Sequence, residues 1–157
     1  MVSPAPAKID RPEFEVLLLD VDPSTLSFPS VFLQTVDFGV SKSVEEAVDA
    51  IRSKQYPVVL CRDDAAGGGW QALLQRVQTM PDPPTVVVYA GRQDPITWTR
   101  VLTSGGFDVV WASNTPDTTF RTLQAAFERR RRNMEIVAAR KRCVRSFADS
   151  IATRAYA

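Results

Sequence analysis

Between residue 14 and about 127 the chain repeats one pattern: a short apolar run, then a segment with apolar residues at helical spacing. Glu15-Val16-Leu17-Leu18-Leu19 is apolar almost without interruption, as expected of a strand buried on both faces. Comparable runs are Phe38-Gly39-Val40-Ser41, Val58 to Cys61, Thr85 to Ala90 and Phe107 to Trp111. Ser43 caps a helix with a carboxylate at Glu46 and an inner stripe of Ala47, Val48 and Ile51. A second helix carries Trp70, Leu73, Leu74 and Val77 on one face and stops at Pro81-Asp82-Pro83-Pro84. A third runs from about Pro95 to Leu102 and ends at Gly105-Gly106, and a last begins near Thr115 to Asp117. Residues 24–35, interrupted by Pro29, predict a short or late helix after the first strand. Alternation of this kind predicts an α/β fold with a parallel sheet covered on both faces. Periodicity alone leaves the strand order open.

A length of 157 residues suits one domain and an appendage. The expected organisation is a leader over 1–12, a domain over 13–127 and a basic helical extension over 128–157. No apolar run approaches the roughly 20 residues that span a bilayer, and the start lacks the charged and apolar segments of an export signal. There is no histidine, which excludes Ser/His/Asp and Cys/His catalysis and histidine-ligated metals. Cys61 lies in an apolar strand and Cys143 in the basic tail, a usage that predicts reduced thiols and a cytoplasmic protein. The net charge of +1 hides a mildly acidic body and a strongly basic tail.

Four stretches carry a resemblance. They are Tyr56-Pro57-Val58-Val59-Leu60-Cys61, then Gly68-Gly69-Trp70-Gln71-Ala72-Leu73-Leu74 with Pro83-Pro84-Thr85-Val86-Val87-Val88, and Gly105-Gly106-Phe107-Asp108-Val109-Val110. In order and spacing they resemble the response-regulator receiver domain of two-component signalling, over residues 14–127. The resemblance implies a flavodoxin-like, doubly wound five-stranded parallel sheet with its site at the carboxyl ends of the strands. It also implies an acidic pair for Mg²⁺ after the first strand and a phosphoaccepting aspartate after the third. A Ser or Thr after the fourth and a Lys before proline after the fifth complete the set.

Asp20 matches the first acid, but Val21 follows it and the next carboxylate is Asp22. Arg62 falls at the acceptor position, with Asp63 beside it, Tyr89 replaces the hydroxyl residue, and Ala112-Ser113 replaces Lys-Pro. A permanently charged guanidinium could stand where the cation stands. The expectation is therefore a pseudo-receiver without catalysis or cofactor, in which Arg62 pairs with Asp20. Its expected partners are signalling proteins, a histidine kinase or an output module. The alternative is a working receiver phosphorylated on Asp63, with Mg²⁺ held by Asp20 and Asp63. Asp20-Val21-Asp22 also resembles the nucleophile motif of haloacid-dehalogenase-type phosphatases, but no lysine or cap domain accompanies it. Gly67-Gly68-Gly69 lacks the Lys-Ser/Thr of a phosphate-binding loop and reads as a flexible turn.

From Phe120 onward the chain holds no proline or glycine. Apolar residues at Phe120, Leu123, Phe127, Met134, Val137, Val144, Ala148 and Ile151 follow a heptad seam interrupted by Arg130 and Lys141. The helix around Phe127, Arg130, Met134, Val137, Lys141 and Val144 is expected to make protein contacts, in the first instance a homodimer. A further alternative is a nucleic-acid adaptor using Arg129-Arg130-Arg131-Arg132 and Arg140-Lys141-Arg142, whose binding would weaken steeply with salt. No recognition motif accompanies the basic run, so nucleic-acid binding is not the expectation, and neither is membrane contact.

Overall fold

The computed structural model describes residues 14–26, 28 and 34–155. The expected leader and half of the helix expected over 24–35 lie outside these residues. The elements are β1 (Phe14–Leu19), a 3-10 turn (Pro23–Thr25), β2 (Val36–Ser41), α1 (Val44–Lys54) and β3 (Val58–Arg62). They continue with α2 (Gly69–Val77), β4 (Thr85–Ala90), α3 (Pro95–Thr103), β5 (Asp108–Trp111) and α4 (Pro116–Ala155). All adjacent strands are parallel, in the order β2-β1-β3-β4-β5. This is the flavodoxin-like, doubly wound sheet.

Strand periodicity divides the core in two. Leu17, Leu19, Val59, Cys61, Val86 and Val88 face α1 and α2, where Val48, Ile51, Trp70, Leu73 and Val77 cover them. Val16, Leu18, Val58, Leu60, Val87 and Val110 face the other way and meet Leu123 and Ala126 of α4. Burial of the central strands on both faces explains their unbroken apolar sequence.

Local signals set the element ends. Ser43 Oγ accepts from Glu46 N, and Glu46 Oε2 accepts from Lys42 N at 2.9 Å, satisfying donors that the start of α1 leaves open. The glycine triplet is a defined turn rather than a loose one. Gly67, Gly68 and Gly69 have φ of 95°, 109° and 69°, a region costly to other residues. A Cβ on Gly69 would sit 2.8 Å from the Asp63 carbonyl oxygen, so this glycine lets α2 start directly under the end of β3.

The 40 residues of α4 span about 60 Å at 1.5 Å per residue. Thr119, Leu123, Ala126 and Arg130 form its buried stripe, and the Phe14 ring packs on Phe120 and Phe127 with centroids 6.4 and 4.7 Å away. Every residue from 131 to 152 is exposed. Phe127 and Arg130, expected in the outward interaction seam, are thus used to hold the helix on the domain. Arg130 donates from Nη2 to the Asp82 carbonyl oxygen at 3.2 Å, while its Nε is buried without a partner.

Candidate functional site

Parallel strands end together, so their carboxyl ends and the loops beyond them form one rim. A cleft of about 760 Å³ opens there, lined by Asp20, Asp22, Arg62, Asp63, Asp64 and Tyr89, and by Arg92, Asp94 and Thr97 beyond β4. Ala112 lies apart. It lines an adjoining cleft of about 140 Å³ that shares Thr25 and Tyr89 with the first. Tyr89 borders both spaces, where the receiver resemblance implies a small hydroxyl residue.

Arg62 does not pair with Asp20. Its Nε binds Asp64 Oδ1 at 2.8 Å, with both side chains at least half exposed. The reason is its place in the strand. Arg62 is the last residue of β3, in register with Tyr89, and alternation points it away from the face that Cys61 occupies. At a strand end it reaches water and a carboxylate two residues on, which costs less than burying a guanidinium beside Asp20. Asp63 is the first residue beyond β3, fixed by its N–H donating to the Tyr89 carbonyl at 2.9 Å.

Asp20 and Asp63 converge on the end of β3 from two strands. Burial pushes the Cys61 thiol up to about 12, and the charges of Asp63 and Asp20 add to the effect. Asp20 has a left-handed φ of 55°, and its N–H donates to the Ser41 carbonyl at 2.8 Å. Aspartate bears that conformation better than most residues, at a cost of about 1 kcal/mol.

The other carboxylates have structural duties. Asp22 Oδ1 accepts from Ser24 N at 2.9 Å, and this hydrogen bond holds its carboxyl below the usual range. Asp94 accepts from Thr97 Oγ1 at 2.9 Å and from Ile96 N at 3.0 Å, with the same effect on its titration. Asp64 is occupied by Arg62. No three His, Cys, Asp or Glu side chains among the described residues gather in a way that could hold a metal ion. Mg²⁺ is commonly held by one or two carboxylates, with water completing its shell. Val21 stands in place of the second acid and Asp22 is engaged as a cap, so a Mg²⁺ of the kind the receiver resemblance implies would have Asp20 and Asp63 as its carboxylate ligands. Sequence reasoning missed the β4 to α3 loop, although Asp94-Pro95 is a helix-start signal that would have placed it beside the site.

The class is thus a doubly wound α/β domain with a polar, carboxylate-rich cleft at the sheet's carboxyl edge and a helix continuing beyond the body. No family model matches the sequence, and no curated protein matches it. Solved structures do match in fold. NtrX from Brucella abortus, solved with ADP, superposes with a TM-score of 0.67 at 17% identity over 82% of this chain, which spans 29% of that one. The receiver domain of a Luxo repressor protein from Vibrio parahaemolyticus gives 0.65 at 12% identity, over 79% of this chain and 97% of that one. A fusion carrying a trimeric coiled coil of yeast Spc42 gives 0.65 at 13% identity over 88% of this chain and 97% of that one. The chain has the fold of response-regulator receiver domains. No helix among the described residues is long and apolar enough to cross a membrane.

Proposed function

We propose that this chain is a pseudo-receiver of a phosphorelay-type signalling system, a cytoplasmic module that works by protein contact without catalysis or a metal cofactor. The single observation that carries this reading is the set of groups around Asp63. Phosphoryl transfer to an aspartate in this fold depends on charge compensation. Here five carboxylates and two guanidinium groups line the cleft, and one guanidinium is already paired with Asp64. Tyr89 and Ala112 stand where the resemblance implies an oxygen-binding hydroxyl and a lysine. Arg62 does not replace the cation beside Asp20, because it is bound to Asp64. Missing compensation supports the reading instead.

The contact element in this proposal is α4 beyond Arg130, where Met134, Val137, Val144 and Ile151 are exposed on one seam. Its partners are other signalling proteins, a histidine kinase or an output module. A second reading, phosphorylation of Asp63, draws on that residue's place directly beyond β3 and next to Asp20. Incubation with Mg²⁺ and acetyl phosphate, followed by intact-mass measurement, separates the two. No adduct is expected. A phosphoryl adduct that disappears in Asp63→Ala refutes the proposal.

A further inference from the structure

We infer that residues 131–152 of α4 form one strand of a mixed coiled coil whose other strand is an acidic amphipathic helix, not a second copy of this chain. This rests on the reading of α4 as the association element and specifies its partner.

The heptad register runs without a break from the domain into the arm. Position a is held by Phe120, Phe127, Met134, Lys141 and Ala148, and position d by Leu123, Arg130, Val137, Val144 and Ile151. The first two heptads pack on the body. The remainder present exposed Met134, Val137, Val144 and Ile151 to solvent, with Phe147 beside them at g. A regular a/d seam is a surface for another helix, because knobs on one helix need holes on the next.

Charge on the flanks then selects which helix. The e and g positions from 131 to 152 include Arg131, Arg140 and Arg145 and no acidic residue, while Lys141 occupies the seam itself. Both acids of this stretch, Glu135 and Asp149, fall at position b, away from the contact. In a parallel in-register pair of identical chains, Arg140 at g would face Arg145 at e of the second copy, twice, and Lys141 would meet Lys141. An antiparallel pair sets e against e and g against g, and no opposite charges result. Such flanks act against self-pairing and favour a partner with glutamates at e and g and a carboxylate opposite Lys141. Nucleic acid would answer the charge but leave the apolar seam in water. A bilayer would cover the seam but draw Lys141 in among the apolar residues.

The probes are two synthetic four-heptad peptides with the same leucine and valine seam. One has glutamate at e and g and aspartate facing Lys141, and the other has lysine at all of these positions. Fluorescence anisotropy with the full chain, at low and high salt, reads their affinities. At low salt the glutamate peptide should bind at least about tenfold more tightly, with the gap shrinking in high salt as exposed charges are screened. The Arg140→Glu/Arg145→Glu double variant, altered only at exposed positions, should reverse the order. Light scattering of the chain alone should give a monomer. A stable dimer in both the native chain and the double variant overturns this inference and leaves α4 as an association element. Equal affinity for the two peptides overturns it as well. A monomer that binds neither peptide removes both readings. Tighter binding of duplex DNA or of phosphatidylglycerol vesicles than of the glutamate peptide, at matched salt, also overturns it.

Discussion

Replacing Arg130 by methionine should stabilise the protein, although it removes a charged hydrogen bond. Arg130 is buried at the point where α4 leaves the body, and desolvation holds its pKa below the ordinary guanidinium value. Its Nη2 makes one bond, of 3.2 Å, to the Asp82 carbonyl oxygen, and its Nε makes none. A hydrogen bond from a charged donor is worth about 1.5 kcal/mol at the low end, whereas an orphaned buried donor costs about 1–3 kcal/mol. The charge itself carries a further desolvation cost. Methionine keeps the apolar stem packed and removes both penalties, and the half-buried Asp82 leaves its carbonyl within reach of water. The balance is a gain of about 1 kcal/mol, or roughly 3 °C in Tm for a chain of this size. Urea unfolding followed by far-ultraviolet circular dichroism reads the change as a shift in midpoint at constant slope. Arg130→Ala is the control: it also removes the charge but loses the stem contacts, and should be less stable than the methionine variant. If methionine destabilises as much as alanine, the guanidinium contributes net attraction and the reasoning fails.

Cys61 should make stability depend on alkaline pH. Its thiol rises from an ordinary 9.0 to about 12 in the folded state, so the contribution is complete below pH 9 and is lost as pH climbs through the folded value. Unfolding free energy should therefore fall by about 1.4 kcal/mol per pH unit between 9 and 12, relative to Cys61→Ala measured alongside. Gly69→Ala should cost about 2 kcal/mol or more, from its left-handed φ and the clash with the Asp63 carbonyl, read by the same urea titration. Leu123→Ala should cost about 3 kcal/mol through the cavity left between α4 and the sheet. Arg62→Ala should leave the urea midpoint unchanged, because its partner Asp64 is exposed; a large loss would restore a buried role for Arg62.

The fold was legible because its signals repeat. Five apolar runs separated by helical stripes define an α/β sheet whatever the individual residues do, and the helix starts at Ser43 and near Pro116 follow local capping chemistry. The site was legible in membership but not in geometry. Asp20, Asp22, Arg62, Asp63 and Tyr89 do share one cleft, since parallel strands bring their ends together. Ala112 falls in the neighbouring one, which shares Thr25 and Tyr89 with the first. The β4 to α3 loop, with Arg92 and Asp94, completes the lining and was overlooked. The heptad seam was visible, yet nothing in its spacing shows that Arg130 is buried against the loop at Asp82.

Sequence by itself determined the class of fold, the parallel layering, the exclusion of histidine chemistry and the basic flanks of the long helix. These are periodic or compositional properties, carried by many residues at once. Tertiary structure alone decided that Arg130 is buried against the loop at Asp82 and where α4 ceases to touch the body. Each is a competition among water and groups distant in sequence for one side chain, and the outcome exists only once the strands have been brought side by side.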